Sequence, residues 1–164
     1  MLSQPEFTLK LLKKIKKAGI HTIIETSGMG KDKNLINLVP FVDIFYYDLK
    51  IIDSKKHQEY TGVDNKVILY NLKILRDNTD NIVIRIPLIP GYTDHITNLK
   101  KIYKKMSQLN LKEAHLLPYN TNASAKYEWL ERKYIPGEIE GQSDEYLEML
   151  KDRAPKNINI KIIN

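Results

Sequence analysis

Four apolar runs of this chain each end in a polar cluster that suits chemistry better than packing. These ends read Glu25-Thr26-Ser27-Gly28, Asp48-Leu49-Lys50, Arg85 within RIPLIPG, and Tyr119-Asn120 after LLP. In parallel α/β proteins, the residues that bind ligands collect at the carboxyl ends of the strands. One cluster from each of four successive strands therefore predicts a single ligand site.

The spacing of Asp48 and Lys50 places both side chains on one face of a strand, because side chains alternate along a strand with a period of two. An anion and a cation would then project together, which suits an amino-acid zwitterion. The alternative is an ion pair at the surface. Arg85 alternates with Val83 and Pro87, which would turn its guanidinium inward toward a carboxylate or a ribose. The alternative for Arg85 is an internal ion pair with Glu25 or Asp48.

The elements that must position these residues alternate between strand and helix, which predicts an α/β fold in a single domain, residues 1–164. The apolar runs are nearly continuous, as in parallel sheets, and right-handed crossovers are expected. Residues 120–142 are expected to form an ordered loop with short helical turns. Strands are predicted over residues 21–27, 42–50, 81–88, 112–118 and 158–163, and helices over residues 5–19, 31–38, 53–57, 64–75, 96–106 and 143–152.

Composition limits the function classes without choosing one. The 164 residues are too few for a closed eight-stranded barrel, which typically needs about 250. The chain has no cysteine, which excludes disulfides, thiolate zinc sites, cysteine nucleophiles and iron-sulfur clusters held by its own residues. No apolar run is long enough to span a membrane, and no signal peptide is visible, so a cytoplasmic protein is expected.

In order and spacing, the motifs resemble the glycyl-radical enzyme activating enzymes of the radical S-adenosylmethionine (SAM) superfamily, whose best-known member acts on pyruvate formate-lyase. Each motif alone is weak, but five in the same order between Gln4 and Tyr127 are specific. The motifs are ETSG at 25–28, DLK at 48–50, His57 with Thr61-Gly62, RIPLIPG at 85–91, and LLPYN at 116–120 with Lys126-Tyr127.

This resemblance implies a partial (β/α) barrel of the TIM type, with parallel strands, whose open top holds a [4Fe-4S] cluster and SAM in the full-length parent. Reductive cleavage of SAM would give a 5′-deoxyadenosyl radical, which takes a hydrogen atom from a glycine of a partner glycyl-radical enzyme such as pyruvate formate-lyase. An electron donor such as flavodoxin or ferredoxin is implied as a second partner.

The resemblance also implies roles for the residues at the strand ends. Lys50 matches a lysine near the SAM carboxylate, and Asp48 matches an acid beside it that orients the site. Glu25 and Thr26 match an acid and a hydroxyl that are associated with a monovalent cation, with Asp48 as a third candidate ligand. A solvated strand end is the alternative for Glu25 and Thr26. The full set expected to contact the cofactor is Ser27, Asp48, Leu49, Lys50, Arg85 and Asn120.

Two features of the family are missing from this sequence. It contains neither the CxxxCxxC loop that holds the cluster nor the GGEP segment that binds the SAM amino group. Leu2-Ser3-Gln4-Pro5 resembles the residues directly after GGEP in the family, so we expect the C-terminal two thirds of such an enzyme, lacking its first strands. Alone, the chain would have no catalytic residue and bind no cofactor. Asn120 stands where many members have a histidine, and asparagine cannot titrate near neutral pH.

Two other function classes stay open. The net charge of +6 and the ten tyrosines suggest a nucleic-acid-binding module, but no RNP, KH, zinc or helix-turn-helix pattern supports it. An inactive half-barrel that serves as a scaffold is compatible with the absence of cysteine. If the first strands are absent, the strand over residues 21–27 is an exposed edge, which predicts self-association. His21, His95 and His115 lack the spacing of metal ligands and are interpreted as structural.

Overall fold

The fold is built on a sheet of five strands in which every neighbouring pair is parallel. A computed structural model describes residues 2–120, 129–131 and 139–163. The order of the strands in the sheet follows their order in the chain, as in a barrel that is not closed. The strands are β1 (Ile23–Thr26), β2 (Ile44–Asp48), β3 (Ile82–Pro87), β4 (Glu113–Leu117) and β5 (Asn159–Ile162).

Helices separate most of the strands, which confirms the predicted α/β order and the open, parallel sheet. Among the described residues, no helix is long and apolar enough to cross a membrane. Residues 121–128 and 132–138, within the loop predicted over 120–142, lie outside the described residues. The helices are α1 (Pro5–Lys17), α2 (Asp32–Ile36), α3 (Ser54–Thr61), α4 (Lys66–Asn78), α5 (Ile96–Gln108) and α6 (Asp144–Asp152), and Val39–Phe41 forms a 3₁₀ turn.

The strands are shorter than the apolar runs that predicted them, and β1 shows why. The predicted strand covered residues 21–27, whereas β1 is Ile23–Thr26. At its start, the backbone N–H of Thr22 donates to Asp43 Oδ2 at 2.7 Å, so a side chain takes the place of a strand partner. At its end, Gly28 has a φ of +73°, which no strand residue adopts.

The two faces of the sheet have different surroundings. Phe45, Tyr47, Ile84, Ile86 and Leu116 point to one face and are fully buried with apolar residues of the helices. We call the opposite side the open face, and it carries Ile23, Glu25, Tyr46, Asp48, Arg85, His115 and Lys161. Since the apolar core of the described residues lies on the first face, charged side chains can occupy the other.

We predict that a protein of these 164 residues self-associates through β1. This strand is an edge of the sheet, and edge strands with few charges recruit partners. Ile20 and Ile23 are 57% and 50% exposed there, whereas the other edge, β5, carries Lys161. Light scattering at high concentration should therefore detect oligomers, and Ile23→Lys should reduce them. A strictly monomeric wild type with low binding of a hydrophobic dye would contradict this prediction.

Candidate functional site at the strand ends

A row of charged side chains crosses the open face near the carboxyl ends of the strands. Asp48 of β2 is in register with Arg85 of β3, Arg85 with His115 of β4, and His115 with Lys161 of β5. Because parallel strands in register place equivalent side chains side by side, residues distant in sequence become neighbours. The structure thus brings together Asp48 and Arg85, which the sequence placed on separate strands.

Asp48 and Lys50 form the ion pair that their spacing allowed. Lys50 Nζ lies 3.3 Å from Asp48 Oδ2, and the side chains are 34% and 18% exposed respectively. The backbone after β2 is fixed by Asn98 of α5, whose side-chain amide donates to the Lys50 carbonyl at 2.8 Å and to the Thr93 carbonyl at 2.9 Å. Lys50 therefore lies at the edge of the open face, where Asn98 fixes its backbone and Asp48 pairs with its side chain.

Arg85 is held by an aromatic ring rather than by a carboxylate. Its guanidinium lies over the ring of Tyr46, with 4.9 Å between Cζ and the ring centroid. Within the described part of the chain it forms no ion pair, so the internal pair with Glu25 or Asp48 that the sequence left open is not formed. The guanidinium keeps its charge available for another anion.

Two polar atoms at the β2–β3 end of this row are buried without a hydrogen-bond partner. They are Oδ1 of Asp48 and Nε of Arg85, and no other buried side-chain nitrogen or oxygen among the described residues lacks a partner. Leaving such a group unpaired costs about 1–3 kcal/mol, so native structures rarely tolerate one without a reason. An acceptor and a donor on adjacent strands fit a ligand that presents both a donor and an acceptor.

The structure separates the three residues predicted to hold a monovalent cation. Glu25 lies on the open face next to Tyr46 in register, on the same side as Asp48. Thr26 lies on the opposite face, where its Oγ1 accepts a hydrogen bond from the Gly28 backbone N–H at 3.0 Å. The cation site stays a prediction, and the side chain of Thr26 does not point toward the two carboxylates.

The other predicted contact residues occupy different positions at the same end of the sheet. Ser27 follows β1, and its Oγ accepts a hydrogen bond of 3.4 Å from the Met29 N–H. Leu49 is fully buried in the core, and its N–H donates to the Arg85 carbonyl at 2.9 Å, so its side chain lies away from Asp48 and Lys50. Asn120 follows β4 and is exposed. Lys126-Tyr127 lies outside the described residues.

His57, the histidine of the third motif, contacts residues at the end of its own helix. His57 is buried in α3, with Nδ1 2.8 Å from the Val63 carbonyl and 3.0 Å from Thr61 Oγ1. These contacts close the end of the helix at Gly62, which has a φ of +81°. Since its partners are Thr61 in the last turn of α3 and Val63 just after the helix, a structural role at the end of this helix explains His57.

The sequence did not predict the side chains that surround Arg85, which are Tyr46, His115, Glu113 and Lys161. The ring of His115 contacts the ring of Tyr46 in an edge-on arrangement, with centroids 5.4 Å apart. Glu113 Oε1 lies 3.1 Å from His115 Nε2 and 2.6 Å from Lys161 Nζ, and these hydrogen bonds, that of Lys161 first, lower the pKa of Glu113. The alternation of Glu113, His115 and Leu117 with two apolar residues was the available signal for this face.

Comparison with known proteins identifies the family. No family model matches the chain. It is 37% identical over 165 residues to the trans-4-hydroxy-L-proline dehydratase activating enzyme of Clostridioides difficile, covering 99% of this chain and 55% of the relative. It is 39% identical over 138 residues to the choline trimethylamine-lyase activating enzyme of Oleidesulfovibrio alaskensis, covering 82% of this chain and 44% of the relative. The chain belongs to the glycyl-radical enzyme activating enzymes of the radical SAM superfamily.

The chain also shares its fold with a solved structure. A crystal structure of a domain of pyruvate-formate lyase-activating enzyme from Bacteroides vulgatus superposes with a TM-score of 0.81 at 24% identity, covering 99% of this chain and 93% of that domain. The chain spans about half the length of the curated relatives named above and matches their C-terminal part. The family predicted from the motifs and the partial-barrel fold are therefore confirmed.

Proposed function

We propose that the open face, at Asp48, Lys50 and Arg85, is the SAM-binding part of an activating enzyme that generates a glycyl radical on a partner enzyme. The observation that carries this proposal is the buried, unpaired acceptor of Asp48 beside the buried, unpaired donor of Arg85. The amino-acid end of SAM has both a donor group and a carboxylate. Family membership supports the choice of SAM among ligands with such an end.

Each of the three side chains would have a different task. Lys50 and Arg85 supply positive charge for the SAM carboxylate, and Arg85 can also reach a ribose hydroxyl, because charge-assisted hydrogen bonds are the strong ones. Asp48 orients Lys50 through their ion pair and offers its free Oδ1 to a donor or to a monovalent cation. Ser27 and Asn120 are proposed to contribute hydrogen bonds from the ends of the neighbouring strands.

SAM, bound with a [4Fe-4S] cluster in a full-length activating enzyme, supplies the radical chemistry of this family. The cluster ligands are not among the 164 residues, since the sequence has no cysteine. The proposed macromolecular partners are a glycyl-radical enzyme and an electron donor such as flavodoxin or ferredoxin. The relatives are named for the activation of different enzymes, so the proposal specifies only the class of the partner.

A second function is favoured by one observation, the absence of cysteine. A half-barrel without its own cluster could act as a scaffold with no ligand on its open face. In that case the unpaired atoms of Asp48 and Arg85 would bind no ligand. Substitution of either residue would then leave the affinity for SAM unchanged. Titration with SAM separates the two functions.

We expect Lys50→Ala in a full-length activating enzyme that carries this sequence to weaken SAM binding. The loss should be about 1.5–3 kcal/mol, which is typical of a hydrogen bond to a charged group. Isothermal titration calorimetry measures it directly. Asp48→Asn should also weaken SAM binding, because Lys50 loses the ion pair that orients it toward the carboxylate. Glu25→Gln should have a smaller effect on SAM binding.

Lys66→Ala is the matched control for this experiment. Lys66 also pairs with an aspartate two residues before it, at 3.7 Å from Asp64 Oδ2, but it is the first residue of α4 rather than a strand-end residue, and its side chain is 81% exposed. Its removal should leave the affinity for SAM unchanged. Equal SAM affinity in wild type and Lys50→Ala would refute the role of Lys50 at the carboxylate.

A further inference from the structure

We infer that Tyr46 and His115 are positioning residues for Arg85, which hold its guanidinium on the open face without using its hydrogen-bond donors. The relevance of this arrangement to SAM rests on the proposed function, whereas the arrangement itself does not. Tyr46 lies under the guanidinium at 4.9 Å, and His115 lies against Tyr46 at 5.4 Å, with an angle of 73° between the rings.

An aromatic platform has a different consequence from a carboxylate partner. A carboxylate would take two donors of Arg85 and neutralise its charge, and a ligand would have to displace it. A cation over the face of a ring is attracted by the ring quadrupole and keeps its in-plane N–H groups available. The buried Nε of Arg85, which has no partner, is the structural sign of this difference.

His115 fixes the ring on which Arg85 rests. It is buried, and its Nε2 lies 3.1 Å from Glu113 Oε1, while Lys161 Nζ donates to the same oxygen at 2.6 Å. Glu113 therefore orients the imidazole, and the imidazole packs against Tyr46 in the edge-to-face geometry that aromatic pairs prefer. The contacts run from Lys161 of β5 to Glu113 and His115 of β4, then to Tyr46 of β2 and from there to Arg85 of β3.

The arrangement predicts a spectroscopic signature that needs no ligand. Protons of a guanidinium held over an aromatic face experience its ring current, so the side-chain Hε and Hδ signals of Arg85 should be shifted upfield in NMR spectra. Arg85→Gln identifies these signals by their disappearance. We expect Tyr46→Leu to abolish the shift, Tyr46→Phe to retain it, and His115→Ala to reduce it because the ring is then free to turn.

Tyr60→Leu is the control, since it removes one ring from an edge-to-face pair with Tyr92 that includes neither Tyr46 nor Arg85. It should leave the Arg85 signals unchanged. If Tyr46→Leu does not fold, Tyr46→Phe and His115→Ala still decide the matter. Arg85 signals without an upfield shift in the wild type, or a shift lost in Tyr46→Phe, would overturn the inference.

SAM is the probe for the second measurement, in a full-length activating enzyme that carries this sequence. Tyr46→Leu should lower the affinity for SAM about ten-fold, and Tyr46→Phe should leave it within about two-fold of the wild type. Equal affinity in the wild type and Tyr46→Leu would overturn the positioning role. A wild type that does not bind SAM, with the upfield shift present, would refute the proposed function and leave the platform intact.

Discussion

Gly28→Ala is expected to destabilise the protein by about 2–5 kcal/mol, the sum of overpacking in a core and of a left-handed conformation for alanine. Gly28 has a φ of +73°, and a Cβ at this position would overlap the hydroxyl and Cζ of Tyr47. Denaturant unfolding measures the loss. The variant also disturbs the loop that carries Ser27, which is one of the proposed contacts of SAM.

Tyr47 cannot easily move away from such a methyl group. Its side chain is fully buried, its hydroxyl donates to the Ile68 carbonyl at 2.6 Å, and burial raises its pKa well above the usual value. The Gly28 carbonyl in turn accepts a hydrogen bond of 2.7 Å from the side-chain amide of Asn71, which also donates to the Gly30 carbonyl. A shift of either partner therefore breaks a buried hydrogen bond.

Gly62→Ala separates the two causes. Gly62 has a similar φ of +81°, but no atom lies within 4 Å of the position of its Cβ. Gly62→Ala should lower the free energy of unfolding only by the cost of a left-handed alanine, about 1–2 kcal/mol. Placing Gly28→Ala in a Tyr47→Phe background should reduce its additional cost, because the hydroxyl is gone. If Gly28→Ala costs no more than Gly62→Ala, the overlap with Tyr47 is not what requires glycine.

The sequence was sufficient to predict the elements and the residues at the strand ends, because both depend on local patterns. A period of two placed Asp48 beside Lys50, and the ion pair is present. The same rule, applied to β1, would have placed Thr26 opposite Glu25. Family motifs led to Thr26 as a cation ligand, and the strand geometry turns its hydroxyl to the other face.

The partner of Arg85 could not be predicted from the sequence, because it depends on the register between strands that are far apart in the chain. The sequence allowed a carboxylate, but the pairing of β2 with β3 places Tyr46 within reach of the guanidinium. His115 lacks the spacing of a metal ligand, so the sequence alone favours a structural role for it. The register of β3 with β4 places it beside Arg85, and its ring reaches Tyr46 of β2 from there.

A protein of these 164 residues is expected to take up no [4Fe-4S] cluster and to leave SAM uncleaved in the presence of a reductant. Protein-bound clusters of this kind are held by cysteine thiolates, and the sequence contains none. Anaerobic reconstitution followed by absorbance and iron analysis tests the first part. Chromatography of the products of SAM tests the second, with a full-length activating enzyme treated in parallel as the positive control.

A stoichiometric cluster with SAM cleavage on this chain would contradict the prediction. Binding of SAM is a separate question, because Asp48, Lys50 and Arg85 are present without the cluster. If the chain binds SAM but does not cleave it, and if Lys50→Ala weakens that binding while Lys66→Ala does not, then recognition of the amino-acid end resides on this sheet. The radical chemistry would then depend on residues outside these 164.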